Sequence, residues 1–350
     1  MRSSYREEDV VLLLKDITGL VEPLPAAQRE RQIQSGRHYC EMLPLEYSPT
    51  APYLAAYEAA LEAYAEPVAD AVSVLAEQLM GQKGPEMVLV SLARAGIPVG
   101  ILLKRYLRQF YGADVPHYAI SIIRGRGIDH NAMGYLLARY DGAQLQFVDG
   151  WTGKGAILRE LQKEMEKYPD VSDELAVLAD PAAVTNLCGT YEDLLVPSSC
   201  LNSTVSGLLS RTFLRADLIG PDDFHGAVCY EELREGDLSY AFIDAITAKF
   251  VPPGKGGAPV RPQHSGVAEV QRIAQHFQVR DINLIKPGIG ETTRVLLRRV
   301  PWKILLRRDI EKSVMVQHLL RLAEEKQVPV EYYPLQNYCA CGIIKTMSDI

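Results

Sequence analysis

The residue types most suited to chemistry in this sequence sit in one short run, Asp149-Gly-Trp-Thr-Gly-Lys-Gly155. An apolar run from Leu145 ends at Asp149, and an amphipathic segment opens at Ala156 with Ile157, Leu158, Leu161 and Met165 on one face. The pattern predicts a strand, a glycine loop and a helix. Backbone amides at a helix start can point at a phosphate if the loop folds tightly, which Gly150, Gly153 and Gly155 allow, and Thr152 adds a hydroxyl donor. Asp149, at the carboxyl end of its strand, is placed to accept hydrogen bonds from sugar hydroxyls. The order Gly-x-x-Gly-Lys-Gly is neither a nucleoside-triphosphate loop nor a dinucleotide fingerprint. The plain alternative is a glycine turn that binds nothing.

Stepping outward, the apolar run 87–90 is a short strand that ends in Ser91-Leu-Ala-Arg94-Ala95-Gly96 before the helical run 101–110. The β-branched strand 117–123 leads into Arg124-Gly-Arg126-Gly-Ile-Asp-His-Asn131, either a mobile lid or a merely solvated loop. The run 175–179 is another strand ending in an acid, Asp180. On one parallel sheet Asp149 and Asp180 would share the carboxyl-terminal edge, where open α/β sheets bind ligands, one facing a sugar and the other the water shell of a magnesium ion. A strand starting at 194–197 and the hydroxyl-rich run 198–206 lead into a helical segment at 208–214; Asn202, Ser203, Thr204 and Arg211 are candidates for holding an acceptor. Cys200 lies in that polar turn, so a thiol nucleophile is the second reading, provided that His225 or His38 lies nearby.

Composition bounds the rest. At 350 residues two domains are the natural expectation. Six scattered cysteines and the polar start Met-Arg-Ser-Ser-Tyr-Arg-Glu-Glu-Asp give no sign of secretion or disulfides, and no apolar run is long enough to span a membrane, which points to the cytoplasm. The net charge of -7 hides an asymmetry: residues 261–350 carry 14 Lys or Arg against 9 Asp or Glu, a balance of +5, leaving -12 for residues 1–260. The tail suits an anionic partner.

Residues 1–46 look like a lead-in or cap, and 51–80 like a long helix or a kinked pair interrupted by Pro67. The Pro/Gly-rich stretch 251–264 is a linker between a domain of residues 1–250 and one of residues 265–350. The last part reads as helix 267–277, strand 282–285, the turn Lys286-Pro-Gly288-Ile-Gly290-Glu291-Thr292-Thr-Arg294 into a helix, strand 302–306, helix 314–326 and strand 328–333. Arg298 extends a basic face beside that turn, and a helix start with free amides next to arginines suits an RNA backbone.

The Asp149 loop resembles the ribose-5-phosphate loop of type I phosphoribosyltransferases, with Gly150 where those enzymes usually carry a second acid. The Gly288-x-x-Glu291-Thr292-x-basic start resembles the pelota-type RNA-binding domain. Together they resemble the tellurite-resistance and stress-operon family called StiP, a label elsewhere joined to cysteine proteases. The resemblance implies an α/β fold: a type I phosphoribosyltransferase-like parallel sheet with helices on both faces, followed by a small α/β/α pelota-like domain. It implies that Ser91, Arg94, Ala95 and Gly96 bind pyrophosphate, that Gly150, Trp151, Thr152, Gly153, Lys154 and Gly155 hold the 5-phosphate, and that Arg124 and Arg126 close over the leaving group. The activity expected is magnesium-dependent transfer from phosphoribosyl pyrophosphate, with Asp149 and Asp180 at the sugar. RNA would be bound through Lys286, Gly288, Gly290, Glu291, Thr292, Arg294 and Arg298. The alternatives are a cysteine protease and a non-catalytic RNA-binding regulator sensing phosphoribosyl pyrophosphate. No protein-held metal is expected, and a homo-oligomer stays open.

Overall fold

A computed structural model describes residues 1–255 and 257–346. Six parallel strands form the main sheet, in the order Val11–Leu12, His117–Ile120, Val88–Leu92, Leu145–Trp151, Leu175–Ala179, Cys188–Thr190. The strands read as near-continuous apolar runs because both faces are covered. Val88, Val90, Phe147 and Val177 meet Met133, Leu136, Leu158 and Leu161 of the helices His130–Leu137 and Ala156–Met165. Leu89, Val148, Ala176 and Leu178 face the other way, toward the helices Ala51–Lys83, Gly96–Tyr111 and Ser239–Thr247. This is the α/β sheet with helices on both faces that the sequence implied.

From Val88–Leu92 the chain winds outward to His117–Ile120 and then back to Leu145–Trp151 on the opposite side. The reversal opens a crevice beyond the carboxyl ends of Val88–Leu92 and Leu145–Trp151, the usual ligand position in such sheets. The Asp149 loop therefore sits at the switch point.

Residues 51–83 form one continuous helix of 33 residues through Pro67, opened by the Thr50 side chain accepting from the Tyr53 amide. Its later half, with Val68, Val72, Leu75 and Leu79, covers the main sheet. Its first half, with Tyr53, Tyr57 and Ala60, packs against Ile289, Leu296, Val316 and Leu319 of the C-terminal part. One helix thus serves two cores.

The C-terminal part is a four-stranded sheet in the order Ile285–Pro287, Ala340–Ile344, Pro301–Leu306, Val330–Tyr332, with helices Gly266–His276, Ile289–Arg298 and Val314–Glu325. The central strand Ala340–Ile344 pairs antiparallel with two neighbours and was not anticipated: Cys339-Ala-Cys341 drew attention as thiols. The strand expected at 282–285 is a 3-10 turn, Ile282–Leu284, followed by the strand Ile285–Pro287.

One further expectation fails. Residues 194–214 give neither strand nor helix but the short 3-10 turns Pro197–Ser199 and Ser203–Val205 and two isolated bridges. Their hydroxyls bond the local backbone, as Ser206 to the Asn202 carbonyl at 2.7 Å and Ser210 to that of Arg211 at 2.7 Å, which competes with regular structure. Residues 122–128, read as a lid or a solvated loop, form a small hairpin. Glu160 ties it down by accepting from the amides of Gly125 at 2.7 Å and Gly127 at 3.1 Å.

Candidate functional site

The switch-point crevice is roofed by the C-terminal helix Ile289–Arg298, and the result is a cavity of about 310 Å³ between the two parts of the chain. Arg94, Ala95, Asp149 and the loop 151–155 line it from the sheet, Arg124 from the hairpin, Arg29 and Tyr39 from the N-terminal segment, Arg211 from the irregular segment, and Lys286, Glu291, Arg294, Arg298 and Arg299 from the roof. Most of the charged residues singled out in the sequence meet here, although for several the role differs from expectation.

Asp149 is at the cavity, its carboxylate accepting from the Gly150 amide at 2.8 Å. Burial pushes its carboxyl up to about 6; the Gly150 hydrogen bond and Arg294 oppose this, and Glu291 adds to it. Asp180 is fully buried and accepts from the Thr152 hydroxyl and from the Thr185 amide at 2.8 Å, so it organises the turn and faces no ligand. Asp180 therefore does not share the cavity edge with Asp149, where one of the two was expected at a sugar and the other at the water shell of a magnesium ion. Among the described residues no three His, Cys, Asp or Glu side chains gather as a metal site.

The loop expected to hold a phosphate is instead docked onto the C-terminal part. Lys154 donates to the carbonyls of Ile282 and, at 2.9 Å, Ile285; Tyr338 donates to the Gly153 carbonyl at 2.7 Å. Burial lowers the Lys154 ammonium to about 8, with Arg124 adding to the effect. Trp151 lies under the Arg294 guanidinium, 4.6 Å from the ring centroid, and against Gly290, where a Cβ would approach the indole to 2.4 Å. Gly155, at φ +73°, turns the chain into the helix Ala156–Met165, and Gly150 packs on Ala95.

Around Ser91 the expected pyrophosphate loop is a packing device. The Ser91 hydroxyl bonds the Gly96 carbonyl at 2.9 Å and His117 at 2.7 Å, and a Cβ at Gly96 would strike the Val148 carbonyl at 2.3 Å. Arg94 does reach the cavity, buried and bonded to the Leu209 carbonyl and the Asn202 side-chain oxygen. Arg124 lines the cavity while holding Asn283 at 3.0 Å; Arg126 is exposed, paired with Glu41 at 3.0 Å, and not in the lining. Asn202 and Arg211 belong to the interface. Ser203 is spent on Glu46 at 3.1 Å, and the Thr204 carbonyl accepts from the Leu238 amide.

The first amide of the helix start expected to grip RNA is already engaged within the chain. The Asp193 carboxylate, from the other part of the chain, accepts from the Ile289 amide at 3.1 and 3.2 Å and from the Cys339 amide at 2.8 Å. Gly288, at φ +91°, brings its backbone within reach of that carboxylate. Thr292 bonds back to the Gly288 carbonyl at 2.7 Å, Glu291 pairs with Arg294 at 2.8 Å, Lys286 faces the cavity, and Arg298 donates to Asn202. An intramolecular carboxylate stands where a phosphate was expected.

All six cysteines are free and buried. Cys200 fails as a nucleophile: it lies in an apolar cluster with Tyr53 and Leu201, burial raises its thiol pKa strongly, and His225 instead bonds Ser121 at 2.9 Å. The thiol beside an imidazole is Cys40, where Sγ lies 2.9 Å from His38 Nδ1. Nε2 of His38 is 3.1 Å from the Arg124 carbonyl. A carbonyl can only accept, so Nε2 carries the hydrogen and Nδ1 turns its lone pair to the thiol. Burial lowers the His38 pKa, with Arg126 adding, and keeps the ring neutral at pH 7. Burial raises that of Cys40, while Arg126 and Arg211 pull toward the thiolate. The Cys40 thiol also reaches the Leu214 carbonyl at 3.5 Å and is only 1 % exposed. The His-x-Cys spacing was the available signal, and it was overlooked because the N-terminal segment showed no readable role.

Comparison with known proteins places the chain among relatives. Residues 3–247 match a family model described as "Tellurite-like stress resistance cysteine protease StiP", and residues 264–346 one described as "PELOTA RNA binding domain". A protein of Acinetobacter baylyi named "Cysteine protease StiP" is 38 % identical over 341 residues, covering 92 % of this chain and 88 % of its own. Among solved structures, a hypoxanthine-guanine phosphoribosyltransferase from Bacillus anthracis overlaps 36 % of this chain and 76 % of its own at 18 % identity and a TM-score of 0.28. A Helicobacter pylori xanthine-guanine-hypoxanthine phosphoribosyltransferase overlaps 30 % and 66 % at 21 % identity and a TM-score of 0.21. Overlaps this slight carry no argument about activity. The expected magnesium-dependent transfer from phosphoribosyl pyrophosphate is overturned by the family model and by the relative, both of which name a cysteine protease.

Proposed function

Since the chain belongs to the StiP family, we propose that it is a thiol-dependent peptide hydrolase with Cys40 as nucleophile and His38 as general base. The observation that carries this reading is the hydrogen-bonded chain Cys40 Sγ, His38 Nδ1, His38 Nε2, Arg124 carbonyl, at 2.9 and 3.1 Å. It has the three parts an activated thiol needs: a nucleophile, a base within reach, and a group that fixes the base's tautomer. The Sγ proton passes to Nδ1, and the imidazolium is stabilised through its Nε2–H bond to the Arg124 carbonyl. The thiolate adds to a peptide carbonyl; the amine leaves with the proton from Nδ1, and water hydrolyses the thioester to free the acid and restore the thiol.

Sγ is covered by the segment at Leu214, so a substrate carbonyl reaches it only when that segment parts from Cys40. The form described here is thus a resting form. RNA binding by the C-terminal part, which the pelota-type match supports, belongs to the same reading and does not use the Gly288–Arg294 start, which Asp193 fills.

The test is proteolysis of an unfolded protein substrate by wild type, Cys40→Ala, His38→Asn and Cys200→Ala, with iodoacetamide labelling located by mass spectrometry. Loss of cleavage in the first two and retention in the third is expected. Cleavage that survives Cys40→Ala in a folded variant would sink the assignment.

A further inference from the structure

Quite apart from the thiol, the cavity between the two parts of the chain is electrostatically incomplete. Nine cationic side chains line it against two carboxylates, those of Asp149 and Glu291. Glu291 is engaged with Arg294, and Arg299 with Glu30; the seven cations with no carboxylate partner among the described residues include the four arginines Arg29, Arg94, Arg211 and Arg298. These four repel one another. Burial is the largest cost; Arg211 and Arg299 add to it at Arg29, which Glu30 partly offsets, and Arg94, Arg294 and Arg211 add to it at Arg298, which Glu46 partly offsets.

Donors are orphaned as well as charges. The Nε atoms of Arg29, Arg211 and Arg298, Nδ2 of Asn202 and Nε1 of Trp151 are buried with no acceptor among the described residues. Arg29 and Asn202 are themselves only 2 % and 7 % exposed. All five residues line the cavity or the small hollow that adjoins it at Arg94, Asn202 and Arg298. Buried polar groups are normally satisfied, and a buried guanidinium without an anion is costly. Orphaned donors beside clustered guanidinium groups that no carboxylate pairs directly are the mark of a site built for an anion.

We propose that this interdomain cavity binds a small anion carrying two or more phosphate groups, held by Arg29 and Arg211 on one side and by Arg94, Arg298 and Asn202 on the other. The size fits, since about 310 Å³ is at the lower end of small-molecule pockets, roughly 300–1,000 Å³. Arg298 comes from the roof and the other residues from the rest of the chain, so the anion neutralises charge across the interface and fastens the roof. The phosphate groups could belong to an inorganic polyphosphate or to a nucleotide; the chemistry recognised is the same.

The experiment is calorimetry and thermal unfolding of the full chain with inorganic pyrophosphate, tripolyphosphate and a nucleoside triphosphate, against sodium chloride at matched ionic strength. Wild type should bind pyrophosphate and unfold at a higher temperature with it. Tighter binding of the nucleotide than of tripolyphosphate would assign a base as part of the ligand; equal binding would assign the inorganic chain. Arg211→Gln and Arg298→Gln should weaken pyrophosphate binding at least tenfold while leaving the unliganded unfolding temperature unchanged or raised, because each removes a repelling charge. A merely structural arginine would lower it. Asn202→Asp places a carboxylate among the arginines, and it should stabilise the unliganded protein and abolish binding. No binding of any of the three anions by folded wild type, or binding equal in all variants, would overturn the proposal.

Discussion

Replacing Asp193 with alanine should cost stability, and should cost more in acid than in base. The carboxylate accepts from the amides of Ile289 and Cys339, both buried, and caps a helix whose own N-cap residue, Gly288, has no side chain to do so. Two buried amides left without partners cost about 1–3 kcal/mol each before water enters, and a lost cap costs about 1 kcal/mol, with overlap between the two. A net loss of roughly 2–4 kcal/mol with the carboxyl protonated is expected. Burial raises this carboxyl from 3.8 to about 6, opposed by the backbone hydrogen bonds from Cys339, Ile289 and Ala340. The folded state therefore holds the proton more tightly than the unfolded state. Stability from this group is present in full below about 4 and is lost as pH rises through about 6. Between pH 4.5 and 8 that loss is about 2 kcal/mol, and alanine cannot suffer it. Urea unfolding of wild type and Asp193→Ala at the two pH values measures the difference, with titrations common to both cancelling. A penalty that grows with pH would refute the reasoning, because it would mean that the ionised carboxylate is the favoured cap.

Three shorter predictions follow from contacts at the same interface. Gly290→Ala brings a methyl to within 2.4 Å of the Trp151 ring, so it should destabilise by about 1–3 kcal/mol and shift the emission of Trp151 as the roof helix lifts, read against a Trp302→Phe background. Gly189→Ala, whose Cβ would meet the Ala71 carbonyl at 2.3 Å, should push the strand Cys188–Thr190 from the long helix and lower the unfolding temperature without changing anion binding. For the thiol, iodoacetamide should label Cys40 of the resting protein slowly, since Sγ is covered and its pKa raised, and the rate should increase with pH; rapid labelling at pH 7 would contradict the buried geometry.

What was legible in the sequence was local. The apolar run ending in Asp149, the glycines behind it and the amphipathic helix after them form a strand, turn and helix as read, because period and breaker residues act over a few positions. The charge asymmetry of the tail was visible too, although much of that charge faces inward to the cavity. The long-range pairings were not legible. Nothing near Ile289 announces that its amide is met by Asp193, 96 residues earlier, and nothing near Lys154 announces the Ile285 carbonyl. The strand Ala340–Ile344 was missed because its small residues and cysteines have little strand signature until two neighbours pair with it. At 198–206 a dense run of hydroxyls reads equally as a helix cap or a ligand shell, and the decision fell to backbone bonds such as Ser206 to Asn202.

The roof helix connects these observations. A free helix start flanked by basic residues suits an RNA backbone, but here the start is filled by Asp193 and the basic residues face the cavity. The two arrangements exclude each other: Arg294 and Arg298 cannot lie on an external phosphate chain while they cover Trp151 and Asn202. If RNA binding at that helix start required the roof to lift, it would break the Asp193 cap and expose the apolar contacts of Ile289 and Leu296 with the long helix. Burying those side chains again is worth roughly 1.5–3 kcal/mol apiece, which sets the affinity such an RNA would have to supply before any net binding. A small anion in the cavity acts in the opposite sense, since it holds Arg298 where it already is. Added pyrophosphate should therefore weaken any RNA binding that goes through the helix start and leave untouched any that uses another face of the C-terminal sheet, a distinction that an RNA gel shift with and without the anion reads directly.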